Sequence, residues 1–434
     1  MNLLKLSWKY LMAKPFATLL STVLVALGVS LTSILFLLNQ QFQARLYKNI
    51  EDIDLVVSAK GSPLQMILSS VYHIDAPTGN IPLDECKIGV LKNPYISKAI
   101  PLALGDSYDG FRIVGTDQQF VQHYDAKLQK GRTFKNDLEV SVGARAAEKL
   151  DLKIGSSFYG SHGLVQDGGH IHETYAYEVV GIYEQSNLVL DQLILTNVST
   201  VWRMHDSHED HGEDHGHDHG EDHGHDHGED HDHKPKVELK PISSEGKDIT
   251  AFLVQYKKDK SGNTSMRATV EATQIIDEYS ESIGYAKPAI QLQHLLEMTG
   301  VGMDFLGALA LIIILISAFS MFISLYSSLK ERRYEMALMR VMGASRIKLF
   351  VMIILEGILV ATAGFLLGTI VSHIGMEIMA SHLEETYKYT FSGMVFLIEE
   401  VYLAAGAVFI GFFAAVIPAF QAYKVDISET LSNS

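Results

Sequence analysis

The sequence predicts an α-helical membrane protein with four transmembrane helices and an α+β domain inserted between the first and second of them. Three observations predict it. Apolar residues make up 47% of the 434 while charged residues make up only 20%, a balance that excludes a single soluble globule. The apolar excess is concentrated in four blocks of bilayer-spanning length. Short β-rich runs recur in the long stretch between the first two blocks.

A hydrocarbon core of ~30 Å asks for about 20 apolar residues per helix. Phe16 to Leu38 is 23 residues without a charge, and Phe305 to Leu325 is 21 without one. Leu349 to Val371 is 23 with only Glu356, and Val401 to Phe420 is 20 with a late Pro418. Four spans follow, at residues 16–38, 302–328, 349–371 and 401–421. The first block exceeds the ~7–15 apolar residues of a signal peptide, and no small-x-small cleavage site follows it, so it reads as a retained helix. Ahead of it, Leu4, Trp8 and Leu11 share one face beside Lys5, Lys9 and Lys14. That is the pattern of an interfacial helix, residues 1–15, lying against membrane lipid.

Lysine and arginine in short flanking segments set the orientation. The first 15 residues carry three bases and no acid, Tyr326 to Lys348 carries six bases, and Ser372 to Glu400 carries one base against five acids. The termini, including the tail 422–434, and the connector 329–348 are therefore expected in the cytoplasm of a bacterial cell. The loop 372–400 and the domain 39–301 are expected on the outer side, which the resemblance described below would make the periplasm.

Within that domain, β-rich runs stand at Leu55 to Val57, Phe111 to Gly115, Glu139 to Val142, Tyr175 to Tyr183, Leu193 to Thr196 and Ala251 to Tyr256. Gly, Asp, Asn and Pro punctuate them. Helices are expected at Val142 to Leu150, Met266 to Ile283 and Ile290 to Met298, the last running toward the second span.

The formal charge of −16 is local. Residues 205–233 hold 11 of the 19 histidines with 12 acids and no base, and without them the chain carries 39 acids against 35 bases. No basic excess remains to hold nucleic acid. The run is an internal repeat: GEDHGHDH at Gly212 to His219, again at Gly220 to His227, then shortened at Gly228 to His233. With no apolar residue to bury, it is expected to be a disordered insertion. Its imidazoles are His205, His208, His211, His215, His217, His219, His223, His225, His227, His231 and His233. With the interleaved carboxylates they form a donor set for Zn, Ni or Cu, each site weak because binding must order the loop. A second group, His162, His170, His172 and Glu173, would suffice for one transition metal if its loop folds back on itself. A solubilising insertion and a polar surface turn are the plainer readings of these two segments.

The single cysteine, Cys86, excludes a disulfide framework and any Cys-rich zinc fold. There is no H-E-x-x-H, G-x-S-x-G or G-x-x-x-x-G-K-[ST] pattern, so the chain is not expected to be an enzyme and no cofactor is required. ATP would be bound by another chain. The connector suits that partner: Met336, Met339 and Met342 with Leu338 offer an apolar face among Arg333, Glu335, Arg340 and Arg346, fit for a groove in a soluble protein. An ordinary positive-inside connector would have much the same composition.

The stretch E-R-R-Y-E-M-A-L-M-R-V-M-G-A-S-R, Glu331 to Arg346, resembles the R-x-x-E-I-x-x-x-R-A-x-G-A-S-R segment of MacB/FtsX/LolC-type ABC transporter permeases. The one-plus-three layout of spans is similar too, as are L-E-G at Leu355 to Gly357 and I-P-A-F-Q-A at Ile417 to Ala422. The resemblance implies a separate ABC ATPase subunit contacted through Glu331, Arg332, Arg333, Glu335, Arg340, Gly343, Ala344, Ser345 and Arg346. It also implies a second permease copy or paralogue as dimer partner, and mechanotransmission, in which ATP hydrolysis moves the periplasmic domains without a solute crossing the helices. Members often have proline after the last basic and acidic pair, where this chain has Lys424, Val425, Asp426 and Ile427. MacB carries a fused ATPase, whereas Met1 here starts almost at the membrane, as in the separate-permease arrangement. Ala59 to Gln65 and Ser70 to Asp75 look similar to a permease subgroup associated with zinc-related operons, so a periplasmic adaptor or metal-binding protein joins the expected partners.

Gly364 and Gly368 in G-x-x-x-G spacing suit close packing rather than a polar channel. Glu356 is the one charge inside the four apolar blocks, read as a packing or coupling residue ahead of a proton relay. Two other functions compete: a membrane-anchored metal buffer or sensor without an ATPase, and an ABC system for lipoprotein, peptide or cell-wall business in which the histidines are incidental.

Overall fold

The computed structural model describes residues 3–163, 175–209, 242–259, 262, 264–387 and 391–424. Along the chain, α1 (Leu3–Ala13) and α2 (Pro15–Asn49) lead into β1 (Leu55–Ala59), α3 (Pro63–Ser70), β2 (Ile81–Pro82), α4 (Leu83–Cys86), β3 (Ile96–Tyr108), β4 (Phe111–Thr116) and α5 (Gln118–His123). Next come β5 (Leu128–Gly131), β6 (Glu139–Val142), α6 (Ala144–Lys149), β7 (Ser157–Phe158), β8 (Ser161–His162), β9 (Tyr177–Tyr183), β10 (Ile194–Asn197) and α7 (Val198–Glu209). The remainder is β11 (Asp248–Ile249), β12 (Ala251–Tyr256), α8 (Met266–Tyr279), β13 (Ile283–Ala286), α9 (Pro288–Glu331), α10 (Arg333–Val341), α11 (Arg346–Tyr387) and α12 (Ile398–Tyr423). Two compact units result, one of residues 1–44 with 295–434 and one of residues 45–294.

In the helical unit, α2, α9, α11 and α12 are each long and apolar enough to cross a membrane. Leu311, Phe319 and Ile323 on α9 are exposed, as lipid-facing side chains must be, whereas Val29, Met352, Ile353 and Ala415 are buried between helices. Small residues set the closest approaches. A Cβ on Gly357 would stand 2.5 Å from the Gly411 carbonyl oxygen, so α11 and α12 cross where neither has a side chain. The G-x-x-x-G pair meets α2 in the same way: Cβ atoms on Gly364 and Gly368 would lie 2.6 Å and 2.8 Å from the Val25 and Val29 side chains.

The helices outrun the apolar blocks. The second span is part of a continuous 44-residue helix, about 66 Å at ~1.5 Å per residue. α11 continues past residue 371 to Tyr387, so much of the expected 372–400 loop is helix. The connector also contains a helix, α10. An apolar run marks only the part of a helix that lipid touches; backbone hydrogen bonding carries it further wherever no breaker intervenes.

The inserted unit is α+β. Its sheet runs β13-β1-β12-β3-β4-β10-β6-β9-β5, with β8 beside β3 and β7 beside β9. β10 pairs with β4 and β6 pairs with β9 in parallel; the other pairings are antiparallel. Four of the six β-rich runs coincide with strands or lie inside them, while Leu193 to Thr196 begins one residue ahead of β10 and Tyr175 to Tyr183 begins two residues ahead of β9. The 13-residue β3 that joins the two halves escaped the reading, because Lys98, Pro101, Gly105 and Asp106 interrupt its alternation. Met266 to Ile283 divides into α8, capped by the Ser265 hydroxyl accepting from the Ala268 N–H at 3.3 Å, and the start of β13. One core gathers Leu55, Phe252, Val254 and Ile276, and another gathers Ile113, Val140, Tyr177 and Ile194. Cys86 is buried in the first, and burial pushes its thiol up to about 12, so it stays a neutral apolar filler.

α7 corrects one boundary. His205 and His208, assigned to the disordered insertion, belong to this helix, which Val201 and Met204 anchor in the sheet cores. From His211 onward the repeat lies outside the described residues, as do His170, His172 and Glu173.

His73 carries a measurable consequence of this fold. It is fully enclosed at φ +56°, and neither ring nitrogen has a hydrogen-bond partner among the described residues. Burial, then the Arg112 guanidinium, holds it well below its usual 6.5. A depressed histidine leaves the unfolded chain binding the extra proton, so the contribution is complete above 6.5 and is lost as pH falls below it. Thermal unfolding of the purified protein should shift to lower temperature between pH 7.5 and 5.5. In His73→Asn, which tolerates the left-handed backbone, that shift should shrink; an unchanged slope would contradict the assignment.

Candidate functional site

The connector is built as a helix stop followed by a helix start. Gly343 has φ +96°, a conformation glycine adopts without a Cβ penalty. Its N–H donates to the Arg340 carbonyl at 3.0 Å and the next N–H, of Ala344, reaches back to the Met339 carbonyl at 2.9 Å, the pair of bonds that closes a helix C-terminus. Ser345 then caps α11, its hydroxyl accepting from the Lys348 N–H at 3.4 Å. The G-A-S stretch of the motif therefore has a local physical reason before any partner is invoked.

α10 divides the four apolar residues expected to share one docking face. Met336 and Met339 turn inward with Ala337, packing in a cluster with Leu11, Leu329, Leu349 and Met352. Leu338 and Met342 are exposed, and Tyr334 and Val341 join them on the outer surface. Sequence periodicity could not separate the two because a short helix with apolar residues on more than one face has no unique buried side. Arg333, Glu335, Ser345 and Arg346 are exposed beside this outer face, and Arg340 is half-buried. Arg346 lies 5.9 Å from the Tyr423 ring centroid.

Arg332 points the other way. Its two terminal nitrogens donate to Glu356 Oε1 at 3.1 Å and Oε2 at 3.0 Å, its Nε donates to the Ser328 carbonyl at 3.2 Å, and its guanidinium lies 4.3 Å from the Tyr10 ring centroid. Glu356 is wholly buried. A bidentate guanidinium is the pairing that best compensates a carboxylate removed from water. The acidic residue singled out in the third span and the second residue of the motif are thus one unit. α1 and the residue after it brace it: the Ser7 hydroxyl on α1 donates to the Met352 carbonyl at 3.1 Å, and Lys14, which follows α1, pairs with Glu331.

A second buried carboxylate was missed. Glu400, in the first turn of α12, meets His373 Nε2 at 2.9 Å and accepts from the Ser33 hydroxyl at 3.0 Å, and Ser372 donates to Ser33 at 2.9 Å. Nearby, Gln41 on α2 exchanges two hydrogen bonds with Ser392, Nε2 to its carbonyl at 2.9 Å and from its N–H to Oε1 at 3.0 Å. Both groups fall in the stretch read as loop, where a His and a Glu 27 residues apart give no signal of contact.

Among the described residues no group of three or more His, Cys, Asp or Glu is placed to hold a metal ion. His205 stands on α7 and His162 in β8; the side chains of His162 and His208 are not described.

Comparison with known proteins agrees with this construction. Residues 18–218 match the MacB-like periplasmic core domain, and residues 307–427 match the FtsX-like permease C-terminal model. No curated protein matches the chain. Among solved structures, the periplasmic region of MacB from Actinobacillus actinomycetemcomitans is similar at 12% identity and a TM-score of 0.34, over 58% of this chain and 97% of that one. The extracellular domain of the noncanonical ABC-type transporter YknZ from Gram-positive bacteria is similar at 10% identity and a TM-score of 0.29, over 54% and 99%. Values this low carry no weight, but the two family matches together take in the first span, the inserted domain as far as residue 218, the connector and the last three spans: the chain is an inner-membrane ABC transporter permease of the MacB/FtsX type.

Proposed function

We propose that this permease couples ATP hydrolysis on a separate cytoplasmic subunit to movement of its inserted domain on the far side of the membrane, working as a dimer with a second copy or a paralogue. The single observation that carries the reading is the construction of the connector. α10 presents Tyr334, Leu338, Val341 and Met342 outward among charges, while Arg332 at its base is held to Glu356 inside the bundle. A force applied to the outer face reaches α11 through that pair and through the buried Met336 and Met339. α9 gives the motion a continuous path, its ~66 Å being about twice the hydrocarbon thickness. The excess of Lys and Arg in the connector and at the N-terminus puts this face in the cytoplasm. The chain itself then needs no nucleotide site and no catalytic residue.

The histidine repeat supports a second component, transition-metal handling outside the cell membrane. Imidazoles at H-x-H spacing among carboxylates chelate Zn, Ni or Cu. The family says nothing about this, so it stands on the repeat's chemistry.

Leu338→Glu should abolish copurification of the ATPase subunit while leaving the permease's melting temperature unchanged, because Leu338 is exposed; retention of the ATPase would remove α10 as the contact. Glu356→Ala leaves Arg332 in the bundle without its carboxylate and should cost ~3–5 kcal/mol of stability. The double change Arg332→Met with Glu356→Met should recover the fold but not transport-coupled ATPase activity, measured on the reconstituted complex. Deletion of residues 211–233 should alter growth under zinc limitation or zinc excess, and no change in either condition would remove the metal from the function.

A further inference from the structure

The end of the helical unit remote from the connector is closed by a strap, residues 391–397, that leads into α12. His373, about 40 Å along α11 from Arg346 at ~1.5 Å per residue, ties the strap, α11 and α12 together. Both of its ring nitrogens are engaged: Nδ1 meets the Gly393 carbonyl oxygen, and Nε2 lies 2.9 Å from Glu400 Oε1. The Gly393 N–H donates to Glu377 Oε2 at 2.8 Å, and the paired bonds between Gln41 and Ser392 fix the strap to α2. A Cβ on Gly393 would collide with the His373 carbonyl oxygen, so glycine is what lets the strap lie on α11. Leu37, Met376 and Leu397 form a small core at the same end.

This pairing fixes a proton count. A carbonyl oxygen and an ionised carboxylate only accept, whereas a neutral imidazole has one N–H to give. Both contacts of His373 are satisfied only when it and Glu400 together hold one proton more than a neutral imidazole beside a carboxylate. That proton sits on the ring as imidazolium or on Glu400 as carboxylic acid. Its loss to water leaves a lone pair facing an acceptor whichever tautomer remains: an N–H on Nδ1 keeps Gly393 and sets bare Nε2 against Glu400, and an N–H on Nε2 does the reverse. Ser33, which donates to the same carboxylate oxygen at 3.0 Å, satisfies Glu400 but offers His373 nothing.

Among the described residues, few other charges bear on the pair. α2 has no charged residue from Pro15 to Ala44, and the strap has none. α11 contributes Glu377, which takes the Gly393 N–H, and α12 contributes Glu399, which lines a separate apolar groove with Thr32 and Tyr402. The Phe396 ring of the strap stands 4.7 Å from the His373 ring, centroid to centroid. The His373 and Glu400 side chains are 14% and 7% exposed, shielded from bulk water yet within reach of a proton.

We propose that His373 and Glu400 form a proton-dependent latch: the strap is held on α11 while the pair keeps its shared proton and is released as the pH on that side of the membrane rises. Closed, the latch joins α2, α11 and α12 at the end opposite the Arg332–Glu356 pair, so that these helices move together. Open, it lets their ends separate. The inference goes beyond the coupling reading and uses it only to place the strap on the outer side, where the latch would make the permease responsive to external pH.

The test uses the full chain in lipid nanodiscs with a nitroxide attached through Met394→Cys, an exposed position on the strap. Cys86 is buried with its thiol held neutral, so the introduced cysteine is the one that reacts. Between about pH 5 and about pH 9 the label should pass from restricted to mobile, its rotational correlation time falling about threefold or more. Glu400→Gln is the decisive variant: it keeps the shape of the side chain, and its amide donates to a neutral ring, so the strap should stay restricted over the whole range. His373→Ala should be mobile throughout, and Glu377→Gln and Glu399→Gln should keep the wild-type transition. A wild-type label of constant mobility overturns the latch. So does a transition that survives in Glu400→Gln, or one that disappears in Glu377→Gln or Glu399→Gln. These measurements need no ATPase, so their outcome is separate from whether α10 is its contact.

Discussion

A carboxylate inside an apolar helix bundle has to be compensated, and the rest of the helical unit is arranged around the way Glu356 meets Arg332. The two oxygens and two nitrogens pair at 3.0 and 3.1 Å, Tyr10 covers the guanidinium, and the Ser328 carbonyl accepts from its Nε. Leaving either ion alone would cost several kcal/mol, so the base of α10 and the middle of α11 keep one relative position. The neighbouring Gly357 lets α12 approach α11 to backbone distance, and Ala415, Ala419 and Ala422 keep the buried face of α12 small. The L-E-G and I-P-A-F-Q-A stretches are therefore two sides of one packed seam, with the ion pair at its edge.

A rigid seam suits a protein whose work is to transmit movement. The buried carboxylates of the helical unit hold elements together, Glu356 on Arg332 and Glu400 on His373 and Ser33, and Gln41 adds a link to Ser392. The inserted unit is likewise stiff where β3 binds its two halves into one sheet, and it departs from regular pairing at Gly105 and Asp106. That irregularity coincides with the approach of α7 and β8.

Much of the architecture was legible because lipid and sheet both impose simple patterns. Four uncharged blocks had to be helices, and runs such as Phe111 to Gly115 and Ala251 to Tyr256 had to be strands. β3 was hidden because a central strand, buried on both faces and carrying a bulge, shows no alternation. The motif Glu331 to Arg346 was visible as a string, but not the opposite directions taken by Arg332 and Arg333, nor the split of Met336 and Met339 from Leu338 and Met342. Direction around a short helix depends on what packs against it, and here that is α1, distant in sequence, together with the start of α11.

By itself the sequence determined the number of spans, the insertion of an α+β domain between the first two, and a histidine repeat without apolar residues to fold. These follow from local rules of hydropathy, backbone sterics and composition. Tertiary structure alone decided that Glu356 belongs with Arg332 and that Glu400 belongs with His373. Each of those pairings joins groups separated by tens of residues, and only the packing of the intervening elements brings them within reach of one another.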